Sequence, residues 1–382
     1  MRAVTYHGVP SSVNVTNVPR PTVMESTDVI VKMTLSVICG TDLHTYHGLE
    51  GGNPPWVMGH EGLGTVSDVG NAMNTLKVGD YNVIPDSIAS GHLETGSTMS
   101  SAEGFGFGGD LGGLKAEYAL VPNAQDTLIP INITTNTTSL ALEQNLLSLS
   151  DIFATEWQSL DFAGFQPGDC VAIFGAGPVG LLAALAAKIR GASRLFSIDC
   201  IGERLSRATI LGAIPIDFSH NDPVAQIKAY EPRSMHRSVD CVGMEAADAH
   251  NHKDEGIVLQ NMVDVTASGG SIGQIGVYHA QNSSRGAPLA STISPRIAFP
   301  ISNFWLNGLS YRPGVVDPRP LADKLLSLIS NDRAFPNVIS SSVIDIEQAP
   351  EYYKRFDAKQ EIKVYIRCGE RSYKDGEGIQ GV

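Results

Sequence analysis

The stretch Cys39-Gly-Thr-Asp-Leu-His44, with Gly59-His60-Glu61 following it, gathers a thiol, two imidazoles, a hydroxyl and two carboxylates into a short span of chain. These are soft and borderline metal ligands together with groups that carry protons. A thiolate and an imidazole suit Zn2+, and a catalytic Zn2+ takes three protein ligands and keeps a fourth position for water or substrate. Cys39, His60 and Glu61 are the ligand candidates, and a further ligand is owed from elsewhere in the chain. In isolation the pair has another reading: Cys39 as a small buried thiol and His60 as a hydrogen-bonded core histidine.

A second constellation is Gly175-Ala-Gly177-Pro178-Val179-Gly180. It follows the β-branched and aromatic run Val171-Ala-Ile-Phe174, opens the helix-forming run 181–190, and is succeeded by Leu195-Phe-Ser-Ile-Asp199, a strand pattern ending in a carboxylate. In such a strand, turn and helix the glycines admit a pyrophosphate close to the backbone, and the helix N-terminus offers free N–H groups. The acidic residue accepts from the ribose hydroxyls. Asp199 would repel a 2′-phosphate, so NAD(H) is favoured over NADP(H), although Arg204 stands near enough to weaken that preference.

The elements that must position these groups fall into two regions. A chain of 382 residues is too long for one core and suits two domains. Residues 1–150 read as β-rich, with runs such as Val29-Ile-Val-Lys-Met-Thr34, Gly64-Thr-Val-Ser-Asp-Val69, Tyr81-Asn-Val-Ile84 and Lys115-Ala-Glu-Tyr-Ala-Leu-Val121 broken by Gly and Pro, a pattern that suits a partly open barrel. Residues 86–110 form a Gly- and Ser-rich loop. Helical spacing over 139–160 introduces an alternation of strands and helices that predicts a doubly wound parallel sheet, with later strands at 238–242 and 270–275. A helix over 321–330, a closing strand over 362–366 and a loose polar tail from 371 complete the chain.

Composition excludes several classes. The apolar share of 42% and charged share of 18% leave no room for a disordered or fibrous protein. A net charge of −13, with no basic cluster to reverse it locally, argues against nucleic acid or an anionic membrane as partner. The N-terminus carries no secretory pattern and the longest apolar run, 179–187, is too short to span a bilayer, so a cytoplasmic location is expected. The cysteines at 39, 170, 200, 241 and 368 have no framework spacing and are expected to be reduced, with 170, 200 and 241 buried and inert.

Cys39-Gly-Thr-Asp-x-His44, Gly59-His60-Glu61-x-x-Gly64, Val78-Gly-Asp80 and Gly175-Ala-Gly-Pro-Val-Gly180, in this order, resemble the zinc-dependent medium-chain alcohol dehydrogenases over about residues 1–368. Leu149-Ser-Asp151-Ile, Gly106-Phe-Gly-Gly-Asp110, Asp240-Cys-Val-Gly-x-Glu245-Ala and Phe356-Asp-Ala are similar to the glutathione-independent formaldehyde dehydrogenase and dismutase branch. The resemblance implies a GroES-like β-rich catalytic domain from residues 1–152 and 303–382, a Rossmann NAD-binding domain from 153–302, and an active site between them. It supplies Asp151 as the third ligand beside Cys39 and His60, and makes Glu61 a residue behind the metal that approaches it transiently. Thr41 and His44 become a proton relay, with His44 toward the surface, and Asp42 a local structural carboxylate. Lys363 matches a cationic position that can face the cofactor pyrophosphate, and reads equally as a solvated strand lysine. Trp56, Ser87, Trp157, Phe304 and Trp305 are pocket candidates, or else core.

The implied reaction is hydride transfer between a small-molecule alcohol, aldehyde or ketone and nicotinamide, with Zn2+ as Lewis acid. A tailoring step in a biosynthetic pathway is the expected setting, and a homo-oligomer, dimer or tetramer, the expected assembly. The chain departs from many such relatives in having no cysteine between Asp80 and Tyr118, so a single catalytic Zn2+ and no structural Zn2+ are expected. Two alternatives stand beside this: a dismutase-like nicotinoprotein that holds its NAD tightly, and a non-catalytic nucleotide-binding relative.

Overall fold

The computed structural model describes residues 1–89, 104–134, 138–232, 235–250 and 252–369. The chain divides into two compact units, one made of Met1–Asp151, Gln281–Thr292 and Asp317–Val382, the other of Ile152–Ala280 and Ile293–Val316. The second unit therefore runs beyond residue 302, because the strand Ser310–Pro313 pairs in parallel with Ser271–Gln274 and lengthens its sheet. Residues 281–292 go to the first unit, where Gln281 Nε2 donates to the Gly51 carbonyl at 3.0 Å and the Leu289 N–H to the Gly48 carbonyl at 2.8 Å.

The first unit is organised around the strand Val29–Ile38, whose β-branched and apolar residues are almost all buried. Along its length it pairs antiparallel with Gly62–Val69, Tyr118–Val121 and the closing strand Lys363–Arg367, so the two ends of the chain share one seven-stranded sheet. A smaller sheet of Val13–Asn17, Arg2–Tyr6 and Trp56–Val57 belongs to the same unit. Their common core includes Met33, Tyr46, Trp56, Met58, Phe105, Tyr353 and Val364. Trp56 is thus a core residue, edge-on to Tyr6 with ring centroids 5.0 Å apart.

The second unit holds a six-stranded parallel sheet in the order Ile214–Asp217, Arg194–Asp199, Cys170–Phe174, Arg237–Asp240, Ser271–Gln274, Ser310–Pro313. Ranked along the sequence this is 3-2-1-4-5-6, the order of a doubly wound dinucleotide-binding sheet whose direction of winding reverses beside its first strand. Every residue of Cys170–Phe174 is buried, as a central parallel strand covered on both faces requires. Trp157 is packed in this unit, 5.0 Å below the Arg190 guanidinium, and Trp305 is exposed.

Three expectations need correction. The helical run over 139–160 is two helices, Leu140–Leu147 and Ile152–Phe162, separated by the 3-10 turn Ser148–Ser150 and by Asp151, whose φ of −160° and ψ of −74° stop the helix. The strand expected from Lys115 begins only at Tyr118, because the Lys115 N–H and carbonyl are bonded to Met58 and Val4 instead. None of the five cysteines is in a disulfide, but Cys200 and Cys241 are only half-buried. The tail from 371 and most of the 86–110 loop lie outside the described residues, and among the described residues no helix is long and apolar enough to cross a membrane.

Candidate functional site

The ligand candidates sit at the ends of adjacent strands. Cys39 follows the last residue of Val29–Ile38 and caps the short helix Gly40–Tyr46, while His60 and Glu61 immediately precede Gly62–Val69, which pairs with that strand through Ser36 and Gly62. Ser36 Oγ donates to the Glu61 carbonyl at 2.7 Å and fixes the backbone there. Asp151 arrives from the break between the two helices, and the Asp86 N–H, just beyond the strand Tyr81–Ile84, donates to the neighbouring Ser150 carbonyl at 3.1 Å. One ligand atom from each of Cys39, His60, Glu61 and Asp151 lies within 4.8 Å of the others, and this is the one such group of four among the described residues.

The donor set fits a divalent cation on three counts. Neither ring nitrogen of the buried His60 makes a close hydrogen bond, Nδ1 and Nε2 standing 3.6 and 3.5 Å from Asp42 and Asp151, and Glu61 Oε2 has no hydrogen-bond partner; a buried acceptor left so is costly without a cation or donor to serve it. His60 Nε2 stands 3.5 Å from Asp151 Oδ2, close to the edge of about 3.4 Å for a tetrahedron with bonds of about 2.0–2.1 Å to nitrogen and oxygen. The set joins one soft thiolate to an imidazole and a carboxylate, which suits zinc better than a hard cation. The ring of Phe107 stacks on His60 at 5.2 Å and 17°, so the described end of the 86–110 loop covers the imidazole with an apolar face.

Around the ligands lie two buried ion pairs. Lys363 Nζ is 2.6 Å from Glu61 Oε1, with both side chains 1% exposed. Burial alone would lower the lysine's pKa, but Glu61 outweighs it and raises it. The second pair is Lys115 Nζ and Asp42 Oδ2, also at 2.6 Å. Asp42 accepts from the Cys39 N–H at 2.8 Å, the reciprocal bond of a capping box, and its other oxygen lies 3.6 Å from His60 Nδ1. Burial pushes the Asp42 carboxyl up, but Lys115 and His60 hold it well below the usual carboxylate range. Burial likewise opposes charge on His60, yet Asp151 and Asp42 raise its pKa well above the ordinary value. Burial and then the Asp151 carboxylate raise Asp86 to about 8.

Thr41 Oγ1 lies 3.9 Å from Cys39 Sγ, and His44, three residues on, shares its helix face. His44 is not at the surface: Asp42, His44, Thr45 and Tyr46 are all buried because the packing around the short helix encloses it. Lys363, expected toward the cofactor or solvent, is committed to Glu61. Ser87 is buried, and its carbonyl accepts from Arg319 Nη1 at 2.7 Å. Asp86, Phe107 and Lys115 are the site neighbours that sequence reasoning missed. Lys115 gave one signal, a lone cation at the head of an apolar strand pattern.

In the second unit the Gly-rich turn leads from Cys170–Phe174 into the helix Pro178–Ile189, where Pro178 takes the first-turn position that needs no N–H. A Cβ on Gly180 would sit 1.8 Å from the Gly175 carbonyl oxygen, so only glycine lets the helix close on the turn; one on Gly177 would meet nothing nearer than Arg204 Nη1 at 3.7 Å. Gly177 therefore leaves space beside the N-terminus of the helix, with Val179 in its first turn, as a pyrophosphate site requires. Asp199 anchors the turn: Oδ2 accepts from the Ala176 N–H at 2.8 Å and Oδ1 from the Cys200 and Ile201 N–H groups at 2.7 and 3.0 Å. Three of its roughly four lone-pair positions are thereby used, leaving room for one ribose hydroxyl rather than two. Arg204 Nη1 lies 3.7 Å from Asp199 Oδ2, and its Nε is buried without a partner.

Comparison with known proteins bears on the same residues. Residues 25–132 match the alcohol dehydrogenase GroES-like domain. The chain is 30% identical over 96% of its length to the whole of the zinc-type alcohol dehydrogenase-like protein AdhB of Bacillus subtilis (strain 168). It is 31% identical, over 94% of its own length and 95% of the relative's, to the glutathione-independent formaldehyde dehydrogenase of Pseudomonas aeruginosa (strain LESB58). Among solved structures, the alcohol dehydrogenase TADH from Thermus sp. ATN1 superposes with a TM-score of 0.80 at 30% identity, covering 96% of this chain and 99% of that one. Likeness of this extent makes the chain a member of the zinc-type, medium-chain alcohol dehydrogenase family.

Proposed function

We propose that this enzyme interconverts a small-molecule alcohol and its aldehyde or ketone with NAD(H), using a single Zn2+ held by Cys39, His60 and Asp151. The observation that carries the reading is the buried ligand set itself, in which neither His60 nitrogen makes a close hydrogen bond and Glu61 Oε2 has no hydrogen-bond partner. When bound, the metal supplies Lewis acidity toward the substrate oxygen and the nicotinamide accepts or donates the hydride. Thr41, beside Cys39, receives the substrate's proton at its hydroxyl and passes it toward His44 on the same helix face. Lys363 restrains Glu61 through Oε1 and leaves Oε2 without a hydrogen-bond partner. Gly175, Gly177 and Gly180 seat the pyrophosphate, while Asp199 and Arg204 hold the adenosine ribose, and the Asp199 charge favours NAD(H) over NADP(H).

The partners are small alcohols and aldehydes, and the setting is a tailoring step in a cytoplasmic pathway. A homo-oligomer is supported by the helix Ile301–Leu306, which presents Ile301, Trp305 and Leu306 to solvent next to the sheet-edge strand Ser310–Pro313. The test is metal analysis with a dehydrogenase assay over a panel of alcohols. Cys39→Ala should lose both zinc and turnover, and full activity in a zinc-free Cys39→Ala protein refutes the mechanism.

A second reading, a dismutase-like nicotinoprotein, draws on Asp151 as ligand and on the formaldehyde dehydrogenase kinship. It requires NAD to stay with the protein through gel filtration, and loss of the nucleotide in that step rejects it.

A further inference from the structure

Asp42 is the carboxylate on which two of the ligand residues converge. One of its oxygens accepts from the Cys39 N–H at 2.8 Å and the other stands 3.6 Å from His60 Nδ1. An anion buried so close to the Cys39 and Asp151 donors is unfavourable unless a cation answers it. The chain supplies that cation at some structural cost. Lys115 is 0% exposed and cannot snorkel to water; its Nζ lies 2.6 Å from Asp42 Oδ2 and 5.7 Å from the centre of the Tyr353 ring. Its backbone is pinned on both sides, the Lys115 N–H donating to the Met58 carbonyl at 2.9 Å and the Val4 N–H to the Lys115 carbonyl at 2.8 Å. The stem passes under Gly59, the residue before His60: with φ at +99°, a Cβ there would lie 2.6 Å from Lys115 Cγ and 2.9 Å from its Nζ. Backbone, aromatic neighbour and glycine together hold one ammonium against one carboxylate.

We propose that Lys115 is a positioning residue of the metal centre. Through Asp42 it fixes the Cys39 backbone and the His60 ring, and it cancels the Asp42 charge as Lys363 cancels that of Glu61. With both outer carboxylates neutralised, the Cys39 thiolate and the Asp151 carboxylate alone balance a divalent cation, so the loaded centre is electrically neutral. Without Lys115 nothing holds the Asp42 carboxylate in place, and it turns away from Cys39 and His60; the orientation the ligands lose outweighs the attraction that one more buried negative charge offers a cation.

This rests on the metal reading above, and the test separates the two. Full-length wild type, Lys115→Met and Lys115→Met/Asp42→Asn are each freed of metal and titrated with Co2+ against a chromophoric chelator. The visible d–d absorption then reports ligand geometry, and a thermal melt reports folding. Met keeps the length of the stem, and Asn keeps an acceptor for the Cys39 N–H. Lys115→Met should bind Co2+ about 10- to 100-fold more weakly, as loss of an outer partner of a ligand does, with altered d–d bands, and the double variant should recover to within about tenfold of wild type. A Lys115→Met protein that melts earlier yet keeps wild-type Co2+ affinity and bands overturns the proposal and leaves the metal reading intact. If Lys115→Met does not fold, the double variant decides: recovery supports the role, and binding weaker than tenfold below wild type overturns it. A wild type that takes up no Co2+ removes the metal reading itself and this proposal with it.

Discussion

Lys363→Met strands the Glu61 carboxylate inside the protein, and its consequence depends on whether a cation is present. The ammonium and the carboxylate are 2.6 Å apart and 1% exposed. At an effective dielectric of about 20 their attraction is about 6 kcal/mol, most of which offsets the cost of taking both charges out of water. Removing one partner of such a pair exposes that cost and destabilises by about 3–5 kcal/mol, while Met replaces the buried stem and keeps the cavity contribution small. Glu61 offers one carboxylate oxygen to the ligand group and its Oε2 has no hydrogen-bond partner, so a divalent cation gives the stranded carboxylate a new partner. The penalty should therefore be about 3–5 kcal/mol in chelator and fall by half or more in Zn2+. Urea unfolding of both proteins with EDTA and with Zn2+ measures it. The transition should be followed at Trp56 in a Trp157→Phe, Trp305→Phe background, because those two tryptophans belong to the other unit and a two-unit chain need not unfold in one step. A penalty below 1 kcal/mol in chelator, or one that Zn2+ leaves unchanged, refutes the reasoning.

Gly59→Ala forces a Cβ to within 2.6 Å of Lys115 Cγ at a φ of +99°; overpacking and left-handed strain together predict a loss of about 2–4 kcal/mol, read as a lower melting temperature. Gly180→Ala puts a Cβ 1.8 Å from the Gly175 carbonyl, and strain of about 1–3 kcal/mol in the turn should weaken NADH binding about 5- to 100-fold in a fluorescence titration; unchanged affinity contradicts the role given to the turn. For Asp86, the folded protein holds a proton that the unfolded chain releases above the ordinary carboxylate range, so its contribution to metal-free stability is full below about pH 4 and is lost as pH rises through about 8. Asp86→Asn should flatten the fall in melting temperature between pH 5 and 9, and an unchanged slope rules Asp86 out as its source.

Much of the architecture was legible because it follows from local chemistry. The apolar run at 170–174, the glycines after it and the acid at 199 declare a dinucleotide turn whatever else the chain does. Cys39 and His60 were legible as ligand types, whereas Asp151 came only with the family resemblance, since a carboxylate before a helix reads equally as a cap. What makes Asp151 available is the interruption between Leu140–Leu147 and Ile152–Phe162, and the helical spacing over 139–160 conceals that break. The outer groups were illegible for another reason. Lys363 looks like a solvated strand lysine until the sheet carries it inward, Lys115 lies just before its strand, and their partners Glu61 and Asp42 are distant in sequence. Pairings of this kind are set by which strands become neighbours, here Val29–Ile38 between Gly62–Val69 and Lys363–Arg367. The boundary near 302 shifted likewise because the strand Ser310–Pro313 has too few apolar residues to announce its place on the parallel sheet.

The central claim is a mononuclear Zn2+ on Cys39, His60 and Asp151, and X-ray absorption at the zinc edge of the purified protein tests it most directly. The account predicts about one Zn2+ per chain with a single sulfur neighbour near 2.3 Å and the remaining neighbours nitrogen or oxygen near 2.0–2.1 Å, the sulfur vanishing in Cys39→Ala. Protein purified without zinc and unable to take it up, or zinc surrounded by several sulfurs, contradicts it.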